Sequence, residues 1–333
     1  MSVLIKHRII PAEWAPHKAI WTAWPSHADL WLDDLAGARA EVAAMVEALV
    51  PHDKIKVLAC GDEAIVSAEQ TVGALAEIIP AHFGDIWLRD TGPIFAMTGN
   101  ATVALRFANN GWGGKYELPG DSTVGDELAS AAGVETLAFE FILEGGALEH
   151  NGAGTILTTR QCVLNPNRNA DWTEARAETL LRAAFNCREV LWLEQGLLND
   201  HTDGHVDNLA RFVSADAVVC QAPSGDDDPN AALYARIAEE LRDMSLTVHC
   251  IPSPGRICSA EGEVMPASHM NFIVGNKTVV VPTYNEEFGA AAVSALQALF
   301  PDREVVGVAS QHLLTGGGSF HCITQQEPVA GSE

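Results

Sequence analysis

The chain has 333 residues, 47% hydrophobic and 19% charged, a core-forming composition that excludes a disordered polypeptide. Its 44 acidic residues against 20 basic ones give a formal charge of −24, which repels phosphate backbones and anionic membranes, argues against nucleic-acid and membrane partners, and favours small cations. No uninterrupted apolar run approaches the roughly 20 residues of a membrane span. Seven cysteines without a CxxC pair fit free thiols in a reducing cytoplasm better than a disulfide scaffold.

Met1 to Arg8 carries no apolar core long enough for a signal peptide. Lys18 to Trp24 reads as a strand. Asp33-Asp34 can cap a helix running to about Leu49, with Val42, Met45, Val46 and Leu49 on one face. Ile55 to Cys60 reads as a strand and Glu63 to Leu75 as a second helix. A rhythm then sets in. Hairpins are predicted at Ile94 to Phe107, Ala147 to Thr159, Asn208 to Gln221 and Asn271 to Val281, with turns at Gly99-Asn100, Asn151-Gly152, Ser214 to Asp216 and Gly275-Asn276. Each is followed by a helix, at about Asp121 to Ala132, Trp172 to Phe185, Pro229 to Met244 and Glu286 to Phe300. Each helix leads into a strand, starting at Val134, Arg188, Leu246 and Arg303, and only Pro328 to Glu333 reads as a frayed tail.

The order strand–strand–helix–strand therefore recurs at near-constant spacing, with a longer first unit. Five such units suit a radial α/β arrangement about one axis; an ordinary α/β sheet with hairpins is the alternative. The unusual polar residues fall at or just before each hairpin: Asp85 to Pro93, Glu144-Gly145-Gly146, His201 to Asn208, Ala267 to Asn271, and Gly316 to Cys322. In a radial repeat these five segments would face one cavity.

Asp90, Glu144 and Asp207 buried together would demand a cation. A planar guanidinium matches carboxylates bidentately. Cys322, approached through Gly316-Gly317-Gly318, could attack its carbon, with His205 as general acid and base. Two alternatives stand beside this. Cys322 could be a small core residue before a strand. His201, Asp203, His205 and Asp207 could form a metal cluster if helical, but Gly204 and Val206 favour a turn and then a strand on which His205 and Asp207 share one face. Trp87 and Trp112 are candidates for an apolar wall. Cys162, Cys220 and Cys250 read as structural. There is no GxGxxG, phosphate loop or GxSxG elbow, so neither a nucleotide cofactor nor a serine hydrolase is supported.

The segments Trp87-Leu88-Arg89-Asp90-Thr91-Gly92-Pro93, Leu143-Glu144-Gly145-Gly146, Thr202-Asp203-Gly204-His205-Val206-Asp207-Asn208 and Gly316 through Gln326 together resemble the agmatine deiminases, within the bacterial-type peptidylarginine deiminase family. The resemblance runs in order over nearly the whole chain. It implies the pentein fold, a five-bladed pseudo-symmetric α/β propeller, as a single catalytic domain over residues 1–330. It also implies cofactor-free and metal-free hydrolysis of agmatine to N-carbamoylputrescine and ammonia, a polyamine-forming reaction. The family's roles fall on Cys322 as nucleophile, His205 as acid/base, Asp90 and Asp207 as the guanidinium grip, and Glu144 as an orienting carboxylate. Trp87, Asp85 and Gly318 complete the expected substrate-binding set, and Asp200, Glu13 and Trp87 are candidates for the distal amine. A deiminase of peptidyl-arginine or of another small guanidine is the alternative, and a homo-oligomer is left open. The chain departs from the family at Ser319-Phe320, where Asn-Ile is usual, and at Glu327, where Gln is usual.

Overall fold

The computed structural model describes residues 8–330; the leader reading of Met1 to His7 and the end of the predicted tail lie outside them. The strands form five separate small sheets, none closed on itself. In four of them a hairpin is extended by a parallel third strand reached through a helix, as a parallel connection requires.

Ile94–Thr98 and Ala101–Ala108 pair antiparallel, and Glu135–Ile142 joins in parallel after helix Val124–Ala132. Leu148–His150 and Thr155–Thr159 are followed by helix Glu174–Phe185 and strand Glu189–Leu193. Ala210–Phe212 and Ala217–Ala222 are followed by helix Ala231–Asp243 and strand Thr247–Pro252. Ile273–Val274 and Thr278–Thr283 are followed by helix Glu286–Leu299 and strand Glu304–Ala309. The predicted rhythm is thus present, with boundaries shifted by a few residues.

The fifth sheet draws on both ends of the described chain. Thr324–Pro328 pairs antiparallel with His17–Ala23, and Ile55–Ala59 adds in parallel after helix Leu35–Leu49. A fourth strand, Glu77–Pro80, follows helix Asp62–Val72 and was not predicted. It is a four-residue edge strand ending in proline, partly exposed, and so has neither the length nor the alternation that marks a strand. Val42, Met45, Val46 and Leu49 are fully buried on the sheet side of their helix, in one cluster with Ile20, Ile55 and Val57. Such burial stabilises by about 1.5–3 kcal/mol per side chain.

One expectation is corrected. Val206–Asn208 is a single 3-10 turn, and the strand begins at Ala210, so His205 and Asp207 do not share a strand face. The same device recurs. Asp90 lies in the helical turn Leu88–Thr91, and Glu144 leads into the 3-10 turn Gly145–Ala147. Turns also carry Met270, just ahead of its hairpin's first strand, and Cys322, just ahead of strand Thr324–Pro328. A turn before a strand lets side chains leave the sheet end in a direction the pleat would not allow. Among the described residues no helix is long and apolar enough to cross a membrane.

Candidate active site

Three of these turns meet at Gly146. A Cβ on it would lie 2.6 Å from His205 Nδ1, 2.9 Å from Asp90 Oδ1 and 3.1 Å from Asp207 Oδ2, so only glycine lets the three side chains converge. Gly146 N also donates to Asp90 Oδ1 at 2.9 Å. His205 Nδ1 is 3.7 Å from Asp90 Oδ1, and its Nε2 is 3.7 Å from Glu144 Oε2. Cys322 Sγ is 3.6 Å from Asp207 Oδ2. Glu144, His205 and Asp207 are almost wholly buried, and Asp90 and Cys322 lie at the floor of a cavity of about 220 Å³.

The electrostatics follow from this burial. Desolvation pushes the Cys322 thiol well above its ordinary value, and the charges of Asp207 and Asp90 push it further. Burial also raises Asp90, reinforced by Asp207 and Glu144. Burial pulls His205 down, but the charge of Asp90 and the facing Cys162 and Glu144 outweigh it and hold the imidazole well above its usual range. Asp207 and Glu144 remain below the usual carboxylate values in spite of burial. His321 supports the first, and His205 and Arg168 the second. These directions favour the protonated thiol on Cys322 and the charged form of His205, with Asp90 on the cavity wall and Asp207 and Glu144 buried. Asp207 Oδ1 and both ring nitrogens of His205 have no hydrogen-bond partner.

Each supporting side chain has its own anchor. Arg168 Nε donates to Glu144 Oε1 at 2.8 Å. His321 Nδ1 bonds Asp207 Oδ2 at 2.7 Å, and its Nε2 faces Glu13 Oε2 at 3.2 Å. Glu13 in turn pairs with the buried Arg211, which also binds Glu149. Glu13 is therefore committed to this buried chain of charges, not available to a substrate amine as predicted. Asp200 caps Thr202 beside a neighbouring cleft and does not line the cavity. Asp85 lines the wall, but its oxygens take the indole N–H groups of Trp31 and Trp87 at 3.1 and 2.8 Å, so what it holds directly is the two rings. Trp87 and Gly318 line the cavity as expected. A Cβ on Gly318 would stand 2.7 Å from the Trp87 ring and 3.2 Å from Cys322 Sγ. The departures from the family pattern are accommodated locally: Ser319 Oγ meets Ser310 Oγ at 2.6 Å, and Glu327 binds Lys18 at 2.6 Å and Trp21 Nε1 at 3.0 Å.

Sequence reasoning foresaw the positions but not the contacts of two residues. Asn271 Nδ2 donates to Cys322 Sγ at 3.0 Å, and its Oδ1 accepts from Cys322 N at 3.1 Å. Trp112, predicted only as a wall, donates to Asp90 Oδ2 at 2.9 Å. Its left-handed backbone (φ 52°) was signalled only by the flanking Gly111, Gly113 and Gly114. The alternative metal cluster is not assembled: His201 bonds Tyr116 on the rim, and Asp203 pairs with Lys115 and Arg168, while His205 and Asp207 lie deeper. The donors that do converge are Glu144, Cys162 and His205, within 4.8 Å of one another. Cys162 sits on the short helix Arg160–Val163 and not in a strand.

Comparison with known proteins places this geometry. Residues 9–328 match the family model of Porphyromonas-type peptidyl-arginine deiminases. The chain is 32% identical to an agmatine deiminase of Stutzerimonas stutzeri, covering 96% of this chain and 95% of that one. Its structure resembles an Enterococcus faecalis agmatine deiminase (TM-score 0.91, 27% identity, 96% of each chain). It also resembles a putative arginine deiminase of Porphyromonas gingivalis (TM-score 0.88, 30% identity, 97% and 98% covered).

Proposed function

The chain belongs to the Porphyromonas-type peptidyl-arginine deiminase family, and from that premise we propose that it is an agmatine deiminase, converting agmatine and water to N-carbamoylputrescine and ammonia. The observation that carries the reading is the thiol of Cys322, 3.6 Å from the buried Asp207 carboxylate and lining one cavity together with the buried carboxyl of Asp90. That arrangement is unfavourable empty and favourable when a planar cation enters. The walls, with Trp87, Trp112, Leu30 and Leu118, suit an aliphatic stem.

In this reading the guanidinium seats on Asp90 and Asp207, and its charge lowers the thiol so that the proton leaves as the cation binds. Cys322 Sγ attacks the guanidinium carbon. His205, already an imidazolium, gives its proton to the departing ammonia, which leaves a thiouronium on sulfur. The neutral His205 then takes a proton from water as the oxygen adds to that carbon. The C–S bond breaks, the electron pair returns to the Cys322 sulfur, the hydroxyl proton leaves as the carbonyl forms and re-protonates the thiol, and the substituted urea departs with His205 again an imidazolium. Glu144, fixed by Arg168, keeps the His205 ring aligned. We read the five sheets as five blades of a pentein propeller in one catalytic domain, supported by a site residue ahead of each of the four hairpins and another, Cys322, ahead of strand Thr324–Pro328 in the fifth sheet. Seven free cysteines support a reducing compartment, the cytoplasm.

The test is ammonia release with agmatine, free arginine and an arginine peptide in parallel. Turnover of agmatine is expected, and its loss by at least a thousandfold in Cys322→Ala and Cys322→Ser. Near-native rates in Cys322→Ser would rule out the covalent route.

A further inference from the structure

The seven cysteines are free, and two of them touch outside the cavity lining. Cys220 and Cys250 face each other as register partners on the parallel strands Ala217–Ala222 and Thr247–Pro252, with their sulfurs 3.8 Å apart. Adjacent strands lie about 4.8 Å apart. That is inside the ~4.4–6.8 Å between Cα atoms that a disulfide spans, so side-chain rotation can bring the sulfurs to bonding distance without moving the backbone far. The pair is asymmetric: Cys250 is exposed and Cys220 is buried. Neither lines the cavity.

We propose that Cys250 and Cys220 form a peroxide-reactive dithiol site, in which exposed Cys250 is oxidised first and buried Cys220 resolves it to a disulfide. The reacting partner is a hydroperoxide. Cys250 sulfur attacks the peroxide O–O bond; a sulfur–oxygen bond forms, the O–O bond breaks, and the other oxygen leaves as water or an alcohol. Cys220 sulfur then attacks the sulfenic sulfur. The S–S bond forms, the S–O bond breaks, and hydroxide leaves with the Cys220 proton as water. The two thiols together lose two electrons, and the peroxide gains them.

The surroundings favour this order. The two sulfurs lie within hydrogen-bonding distance and either can donate; that pairing and the nearby Arg242 charge lower the Cys250 thiol even though burial opposes it, and its exposure makes it the sulfur a peroxide reaches. Cys220 is raised by the same hydrogen bond and by burial, so it is the poorer first nucleophile. Once Cys250 is oxidised its negative charge is gone, and the charge repulsion opposing a Cys220 thiolate disappears. Cys322, held well up by burial and two carboxylates, is the less reactive thiol in the resting enzyme.

The experiment exposes the native full chain to stoichiometric hydrogen peroxide, alkylates the remaining thiols after unfolding, and maps the peptides by mass spectrometry. The expected result is a Cys220–Cys250 linked peptide, with the thiol count falling by two from seven and Cys258, the other exposed free thiol, still alkylated. In Cys220→Ser a dimedone adduct is expected on Cys250. In Cys250→Ser, Cys220 is expected to stay reduced. Oxidation of Cys258 or Cys322 ahead of the pair would overturn the proposal, as would Cys220 oxidation undiminished in Cys250→Ser. The readout is thiol chemistry and not turnover, so it stands or falls separately from the deiminase reading.

Discussion

Replacing Asp207 by asparagine is expected to make the Cys322 thiol more reactive while lowering the enzyme's turnover. The Asp207 carboxylate lies 3.6 Å from Cys322 Sγ, and both are buried. At an effective dielectric constant of about 20, two unit charges at that distance interact by about 4.6 kcal/mol. That is about 3 pKa units at 1.36 kcal/mol each, an upper limit for the charge removed. The sign is fixed: a neighbouring anion disfavours the thiolate, so removing it lowers the thiol pKa. The assay is carbamidomethylation of Cys322 by uncharged iodoacetamide against pH, without substrate, read on the Cys322 peptide. In the wild type the rate should rise only above the ordinary thiol value, about 8.5. In Asp207→Asn the midpoint should fall by 1–3 units, bounded because burial and Asp90 remain. Turnover of agmatine should nevertheless drop, because the guanidinium loses half its grip. A wild-type thiol already alkylated as thiolate at pH 7, or a midpoint unmoved in the variant, would refute the electrostatic argument.

Asn271→Ala removes the N–H that touches Cys322 Sγ, so kcat should fall about 10- to 100-fold, from ~1.5–3 kcal/mol for a bond to a charged sulfur, with far-UV circular dichroism unchanged. Gly318→Ala places a methyl 2.7 Å from the Trp87 ring and 3.2 Å from the nucleophile; KM for agmatine should rise at least tenfold, and an unchanged KM would mean that this wall yields freely. Asp121 has a pKa raised to about 6 by burial, with one oxygen unpartnered. The folded form therefore holds a proton more tightly than the unfolded chain, and stability is lost as pH rises from about 4 through 6. Asp121→Asn should be more stable than wild type at pH 8 by up to ~3 kcal/mol in urea melts and gain nothing at pH 4. A difference independent of pH would contradict this.

The local signals carried far. Asn151-Gly152 marks its turn locally, with Gly152 at positive φ and the Asn151 side chain accepting from Ala153 N and Thr155 N, and the amphipathic helix ending at Leu49 buries the face its spacing marks. The proposed catalytic set was legible because a cysteine, a histidine and three carboxylates beside glycines and turns are unusual residues in unusual places. Asn271 was not legible in that way: an asparagine acquires a role only from what it touches, and its partner is 51 residues away. Glu13 misled for the same reason, since a lone acidic residue near the N-terminus gives no sign of a buried Arg211 almost two hundred residues on. The strand predicted through His205 failed because Val206, a β-former, sits in a tertiary turn that its propensity does not describe.

The sheet shared by the two ends of the described chain has a consequence for biosynthesis. Strand Thr324–Pro328 begins two residues after Cys322 and docks on His17–Ala23, some three hundred residues earlier. During synthesis the early strand waits with an unpaired edge until residue 328 has left the ribosome, and closing such a distant contact is slow. The thiol is therefore positioned last. A nascent or truncated chain can hold four finished sheets and still lack a working centre, so the first appearance of turnover reports that the chain ends have met.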